Sequence, residues 1–131
     1  MFVSSKRSIL IVDDDISILH VLSRIFQSNG YTVTVAEKGG EAIEKISSNK
    51  FDVALVDLGL PDMEGDKLFS VIHRASPETV KIMLTGKIEL QGSIEGADIF
   101  IEKPVTPDRL LSIIDSKLTA KSKRLCRKRK N

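Results

Sequence analysis

Four positions in this sequence carry polar groups that directly follow, or end, an apolar run of strand length. They are the acidic triplet 13–15, Asp57, Thr85 and Lys103. If the apolar runs are parallel strands, their carboxyl ends share one edge of the sheet, and α/β proteins place their ligand sites just outside that edge. The sequence therefore predicts one crevice that combines carboxylates, a hydroxyl and an ammonium group.

The elements that would position these groups follow from the apolar pattern. Apolar runs alternate with segments of helical spacing, which is typical of repeated βαβ units around a parallel sheet. Five strands are predicted at residues 9–12, 31–35, 53–56, 80–84 and 98–101. Each strand is followed by a helical segment, but the fourth, at residues 87–96, holds two glycines and few apolar anchors, so a helix there should be short or irregular.

Length and composition fit one domain. The chain has 131 residues, of which 41% are hydrophobic and 29% are charged, enough for a core of its own. We interpret residues 1–6 as an N-terminal extension, 7–119 as the domain and 120–131 as a basic tail. The tail holds seven of the 20 Lys and Arg residues and none of the 18 Asp and Glu residues, so the preceding segment has a formal charge of −5.

The tail allows more than one interpretation. Charge runs at termini are usually solvated and disordered, which is the favoured interpretation. Because Leu125 lies seven residues after Leu118, the last helix could instead extend into the tail. Nucleic-acid binding is a minor hypothesis, since no aromatic residues that could stack on bases are interleaved with the charges.

A single cysteine, Cys126, leaves no intrachain disulfide and no thiolate metal site. The first apolar run is cut by aspartates too early for a signal peptide or a membrane span. We expect a soluble cytoplasmic protein.

The polar groups, taken in order, resemble the phosphoacceptor set of the response regulator receiver domain, the CheY-like module of two-component signalling. The matching residues are Asp13, Asp14, Asp57, Thr85, Lys103 and Pro104. The resemblance covers residues 7–118, and residues 56–65 look especially similar to the phosphorylation strand and its following loop. It implies a doubly wound five-stranded parallel sheet of order 2-1-3-4-5 with helices on both faces.

The resemblance also implies a chemistry for the crevice. Asp57 would accept a phosphoryl group from a phosphohistidine donor, and the domain would not otherwise be an enzyme. A divalent cation, Mg²⁺ or Mn²⁺, would offset the charge of the carboxylates and the phosphoryl group. By resemblance Asp14, Asp57 and the backbone carbonyl of Gly59 would bind it directly, and Asp13 through water.

Lys103 would pair with a phosphoryl oxygen, and Thr85 would hydrogen-bond to another. The same resemblance makes Thr85 and Phe100 a switch: movement of the threonine toward the phosphoryl group would admit the Phe100 ring. The peptide bond between Lys103 and Pro104 is usually cis in this family.

Two features depart from the family pattern. The interval from Thr85 to Lys103 is about one helical turn shorter than usual, which puts in doubt the usual signalling face built on the fourth helix. Near the phosphoryl group, Gly59 would not shield the acyl phosphate, whereas Lys87 could lengthen its lifetime.

The leading hypothesis is a stand-alone receiver that signals by protein–protein contacts. The donor of the phosphoryl group would be a sensor histidine kinase or a phosphotransfer protein. A homodimer that forms on phosphorylation is a further hypothesis. The downstream target is unknown, and the chain could also be a truncated piece of a longer regulator. A receiver-like interaction module that works without phosphorylation is the second hypothesis.

A small haloacid-dehalogenase-like phosphatase is a third hypothesis, because residues 13–17 resemble the nucleophile motif of those enzymes. That interpretation leaves Asp57 without a role. Taken singly, each site residue also has an ordinary structural explanation, such as a strand residue for Thr85 or a core aromatic for Phe100. Asp62 is a better helix-capping candidate than Asp57.

Overall fold

The apolar runs form one parallel sheet with the strand order β2-β1-β3-β4-β5. The computed structural model describes residues 7–57, 62–63, 65–85 and 99–130. Its elements in chain order are β1 Ser8–Val12, α1 Ile16–Ser28, β2 Thr32–Ala36, α2 Gly39–Ser48, β3 Val53–Asp57, α3 Gly65–Ala75, β4 Val80–Thr85, β5 Ile99–Glu102 and α4 Pro107–Lys130. The predicted strand order is confirmed, whereas the expected irregular helix at 87–96 lies outside the described residues.

The central strands are buried on both faces, as parallel strands covered by helices must be. Every residue of β3 and β4 is buried. The edge strand β2 is wetter on both faces, because Thr32 is exposed and Val35 is 38% exposed. In the sequence Tyr31, Val33 and Val35 alternate with Thr32 and Thr34, a pattern that predicts one apolar and one wetter face. This prediction is wrong at Val35, since an edge strand has fewer neighbours to cover its faces.

Two hydrophobic layers cover the sheet, as predicted. On one face, α1 and α4 pack on the sheet through residues such as Phe26 and Ile114, which contact the layer that contains Ile9 and Ile11. On the other face, α2 and α3 pack against the alternate strand residues, including Leu10. Successive strand side chains point to opposite faces, so the continuous apolar runs supply both layers.

Helix α1 is bounded by residues that are typical of helix ends. The Asp15 carboxylate accepts hydrogen bonds from the backbone N–H groups of Ser17 and Ile18, over 2.9 and 3.4 Å, and so caps the first turn. The helix ends before Gly30, whose φ of 90° lies in the left-handed region that glycine adopts without a Cβ clash. The cap fixes the acidic triplet between β1 and α1.

Helix α4 continues to Lys130, so the expectation of a disordered tail is wrong and the alternative of an extended helix describes the structure. Leu118 is buried against the α1 and α4 layer, and the boundary expected at residue 120 falls inside the helix. None of the described helices combines the length and the apolar character that crossing a membrane requires.

Candidate functional site

The carboxyl ends of β1, β3, β4 and β5 meet at one edge of the sheet. Val12 pairs with Val56, Asp57 with Leu84, and Thr85 with Glu102. This register places the residues that follow each strand in one crevice, as the sequence predicts. Asp57 is 9% exposed and Thr85 is 2% exposed, so the polar groups at these strand ends are largely shielded from water.

Lys103 reaches back into this crevice from the end of β5. Its Nζ donates a hydrogen bond to Asp57 Oδ1 over 2.9 Å and lies 3.9 Å from Asp13 Oδ2. Its backbone N–H donates to the Thr85 carbonyl over 2.7 Å. The peptide bond between Lys103 and Pro104 is cis, as the resemblance implied.

Three carboxylates cluster beside this lysine. Asp13, Asp14 and Asp57 each offer one oxygen, and these oxygens lie within 4.8 Å of one another. Asp13 is 2% exposed, and its Oδ1 accepts a hydrogen bond from the Asp15 backbone N–H over 2.9 Å. Its buried Oδ2 has no hydrogen-bond partner among the described residues.

Burial and the charges in the cluster together shift two pKa values. Burial raises the pKa of Asp13 above its usual value; the hydrogen bond from Asp15 opposes this shift, and the negative charge of Asp57 adds to it. Burial alone would lower the pKa of Lys103, but its hydrogen bond to Asp57 and the surrounding carboxylates raise it overall. Lys103 is thus held as an ammonium ion against a cluster of negative charge.

This donor set fits a hard divalent cation. Carboxylate oxygens are the ligands that Mg²⁺ and Mn²⁺ prefer, and a cation would satisfy the partnerless Asp13 Oδ2. Asp14 is exposed at the rim, which leaves a side of the cluster open to water and ligand. The predicted ligand Gly59 lies outside the described residues.

The two predicted switch residues sit on adjacent strands. Thr85 ends β4 and is buried. Phe100 lies on β5, pairs with Met83 of β4, and packs partly buried against the α2 and α3 layer. Lys87, the proposed shield of the acyl phosphate, lies outside the described residues.

Asp62 has a role that sequence reasoning missed. Its position suggested a cap for the helix that follows it, but its two oxygens accept hydrogen bonds from the backbone N–H groups of Gly39 and Gly40, at the start of α2. The available signal was the start of α2 itself, where Lys38 offers no side-chain acceptor for a cap.

An apolar groove runs beside the crevice, between α1 and the segment that joins β5 to α4. Its cavity has a volume of about 400 Å³. The lining side chains are mostly apolar and include Ile18, Val21, Pro104 and Val105, together with Lys103 of the crevice. Val21 is 50% exposed, so apolar surface lies open next to the lysine.

A doubly wound parallel sheet with a carboxylate cluster and a lysine at its carboxyl edge defines the class of CheY-like signalling domains. The chain belongs to the response regulator receiver domain family, whose pattern matches residues 9–115. It is 33% identical over 114 residues to the transcriptional regulatory protein GlrR of Escherichia coli K12; the match covers 84% of this chain and 26% of GlrR. The chain thus spans about a quarter of the length of that relative.

Solved structures agree with the family assignment. A CheY-like receiver domain protein from Methanospirillum hungatei superimposes with a TM-score of 0.83 at 41% identity, covering 92% of this chain and 99% of that one. The response regulator TrrA from Thermotoga maritima, solved in complex with Mg²⁺-BeF, gives a TM-score of 0.77 at 28% identity, with coverage of 86% and 98%. The members of this family are signalling domains.

Proposed function

We propose that this chain is a phosphoacceptor that takes a phosphoryl group on Asp57 from a phosphohistidine of a sensor histidine kinase or a phosphotransfer protein. The observation that carries the proposal is the convergence of the Lys103 ammonium group and the Asp13 and Asp14 carboxylates on the Asp57 side chain. Apart from gaining and losing this group, the chain has no enzymatic activity in our proposal.

In the transfer, an oxygen of the Asp57 carboxylate attacks phosphorus. The P–O bond forms as the P–N bond to the donor imidazole breaks, and the bonding pair returns to the imidazole nitrogen. The obstacle is electrostatic, because two unit charges 4 Å apart repel by ~4 kcal/mol at an effective dielectric of 20. Lys103 lowers this barrier by placing a positive charge against Asp57 before the donor arrives.

The Asp13, Asp14 and Asp57 carboxylates would hold Mg²⁺ or Mn²⁺, with Asp14 and Asp57 as direct ligands and Asp13 acting through water. The bound cation would supply charge neutralisation for the incoming phosphoryl oxygens. The Gly59 carbonyl remains our expected third protein ligand. TrrA, a neighbour of 28% identity, is described with Mg²⁺ bound, which supports this choice.

The apolar groove suits the docking of the donor protein. Ile18 and Val21 of α1 line the groove together with Lys103 of the crevice, and Val21 is 50% exposed. Burial of such side chains stabilises a complex by ~25 cal/mol per Å² of apolar surface removed from water. A donor seated there would bring its phosphohistidine to the edge where Asp57 and Lys103 lie.

The response to phosphorylation would be a change in population. In our proposal Thr85 hydrogen-bonds to a phosphoryl oxygen and Phe100 fills the space that it leaves. Because a hydrogen bond to a charged group contributes ~1.5–3 kcal/mol, the phosphoryl group shifts an existing equilibrium. The output is a protein–protein contact in the cytoplasm, to a target or to a second phosphorylated copy of the chain.

Intact mass spectrometry tests the proposal. The wild-type chain, incubated with acetyl phosphate and Mg²⁺, should gain one phosphoryl group, and omission of the cation should prevent the gain. Asp57→Asn should abolish the adduct, whereas Asp52→Asn, a change at an exposed aspartate near the opposite edge of the sheet, should leave it intact. A folded, Mg²⁺-binding wild-type chain that gains no adduct from acetyl phosphate or a phosphohistidine donor would favour the phosphorylation-independent module.

A further inference from the structure

The side chain of Asp62, five positions after Asp57, is attached to the start of α2. Asp62 Oδ1 accepts a hydrogen bond from the Gly39 N–H over 2.7 Å, and Oδ2 accepts one from the Gly40 N–H over 3.0 Å. These amides are among the first of α2, which have no partners within the helix. Asp62 therefore caps a helix that begins 23 positions earlier in the chain.

The cap has no local substitute. Lys38 occupies the N-cap position and makes no side-chain capping bond to any described residue, because its ammonium group can only donate. The two amide hydrogen bonds lower the pKa of Asp62 below its usual value, so the side chain remains a carboxylate at the positive end of the helix dipole.

Met63 strengthens the same attachment. A Cβ atom built on Gly39 would lie 2.4 Å from Met63 Cγ, so Met63 fits against α2 only because residue 39 is glycine. Met63 also packs against the buried layer under α2 and α3. Asp62 and Met63 thus both contact the first turn of α2.

The start of α2 is itself held close to the carboxylate cluster. The Asp13 backbone N–H donates to the carbonyl of Ala36, the last residue of β2, over 3.1 Å. Ala36 is buried in the same layer as Ala42 of α2. Asp62 is therefore attached to a part of the fold that borders Asp13.

We propose that Asp62 is a positioning residue for the metal and phosphoacceptor site. It contacts neither the cation nor the phosphoryl group. Four residues separate Asp57 from Asp62, and Gly59, the expected carbonyl ligand, is one of them. Asp57 is fixed because it ends β3, and Asp62 is fixed because it is bonded to α2. Both ends of this stretch are therefore held in place once the chain has folded. Less conformational entropy is then lost when the cation binds, which strengthens binding. The inference rests on the proposed function of the site.

The coupling must act in both directions. If the attachment of Asp62 strengthens cation binding by a given factor, the cation strengthens the attachment by the same factor. Mg²⁺ should therefore slow hydrogen exchange at the Gly39 and Gly40 amides by a larger factor than at amides that exchange only by global unfolding, a readout that a purely structural helix cap would not produce.

The test compares Asp62→Ala, Asp62→Asn and Asp52→Ala by calorimetric titration of the full chain with Mg²⁺. Asp62→Ala should weaken binding by about threefold to tenfold, the factor that corresponds to the loss of one helix cap. Asp62→Asn keeps one acceptor oxygen and should fall between this variant and the wild type. Asp52→Ala removes a carboxylate that accepts from the Ser8 N–H over 2.8 Å and should bind Mg²⁺ as the wild type does.

The phosphorylation rate, followed by intact mass at several Mg²⁺ concentrations, separates the outcomes. With Asp62→Ala the rate should fall at low Mg²⁺ and recover at saturation. Wild-type affinity and rate in Asp62→Ala, or no effect of Mg²⁺ on the two amides, would overturn the positioning role and leave the proposed function intact. A wild-type chain that binds Mg²⁺ but gains no phosphoryl group would overturn the proposed function, and the titrations would still decide the role of Asp62. Failure of the wild type to bind Mg²⁺ would overturn both.

Discussion

Lys103 Nζ and Asp57 Oδ1 form a hydrogen-bonded ion pair 2.9 Å long at the carboxyl edge of the sheet. The same ammonium group lies 3.9 Å from Asp13 Oδ2. One lysine thus offsets the charge of two carboxylates at a site that we propose must also hold a cation. The positive charge of Lys103 should favour transfer of the phosphoryl group to Asp57 and should oppose binding of the metal ion.

Lys103→Met should separate these effects. Removal of a cation that lies within hydrogen-bond distance of Asp57 should tighten Mg²⁺ binding by about threefold or more. It should slow phosphorylation by acetyl phosphate by about 100-fold, because a positive group aimed at the transferring oxygens is lost. Titration calorimetry and intact mass measure the two quantities. Lys50→Met, at an exposed lysine, is the control, and weaker Mg²⁺ binding in Lys103→Met would contradict the argument.

Asp13→Asn should stabilise the metal-free fold. The Asp13 carboxylate is buried beside Asp14 and Asp57, and an amide would keep the Oδ1 acceptor for the Asp15 N–H while removing the charge. We expect a gain of about 1 kcal/mol in the free energy of unfolding in EDTA. In saturating Mg²⁺ the wild type should have the larger free energy of unfolding, because the variant binds the cation less tightly and gains less stability from it. Urea denaturation in both buffers provides the measurement.

The switch between Thr85 and Phe100 can be observed with a single fluorophore. The chain contains no tryptophan, so Phe100→Trp introduces a unique reporter on β5. Its emission should change when acetyl phosphate and Mg²⁺ are added, since the ring is partly buried and is proposed to move inward. Adding Thr85→Ala should remove most of that change without removing the phosphoryl adduct. Thr85→Ser, which keeps the hydroxyl, should retain the change, and an equal response in both double variants would argue against the switch.

The Tyr31 hydroxyl should have a pKa well above the usual value for tyrosine. Burial, followed by its hydrogen bond to Asp115, raises the pKa of Tyr31 to about 12. Because the folded chain holds this proton more tightly than the unfolded chain, the contribution to stability is complete below pH 10 and is lost as the pH rises toward 12. Tyr31 is the only tyrosine and the chain has no tryptophan, so absorbance at the tyrosinate band reports its pKa directly.

Two variants check the cause of that shift. Asp115→Ala should lower the pKa of Tyr31, because it removes the acceptor of the hydroxyl proton, but burial should keep the pKa above 10. Arg7→Ala should raise it, since the positive charge of Arg7 favours the tyrosinate. Shifts in the same direction for both variants would contradict the assignment.

Gly30→Ala should destabilise the chain by about 1 kcal/mol. The φ of Gly30 is 90°, and no described atom lies within 4 Å of a Cβ built there, so the loss would come from backbone strain alone. Chemical denaturation measures it, and Ser28→Ala in the last turn of α1 is the control. A neutral Gly30→Ala variant would show that the turn relaxes to another conformation.

The sequence predicted the fold correctly where the local residue pattern and the tertiary environment require the same type of residue. The central strands are continuous apolar runs because both faces of a parallel sheet are covered. The alternation of those runs with helical segments predicted a parallel sheet, and the resemblance to the receiver family implied the strand order that the structure has. Local pattern failed at Val35, whose exposure depends on its strand being at the edge, and at the basic tail, where composition favoured disorder and the structure has a helix.

The sequence by itself also determined which groups form the site, because residues that follow parallel strands must meet at one edge. It could not determine their partners. Asp62 caps a helix 23 positions before it, and Tyr31 bonds to Asp115, 84 positions after it. An unpaired backbone N–H or a carboxylate can be satisfied by many groups, and distance along the chain carries no information about which one is near. Only the packing of the helices on the sheet decided those contacts, and with them which residue attaches the segment after Asp57 to α2.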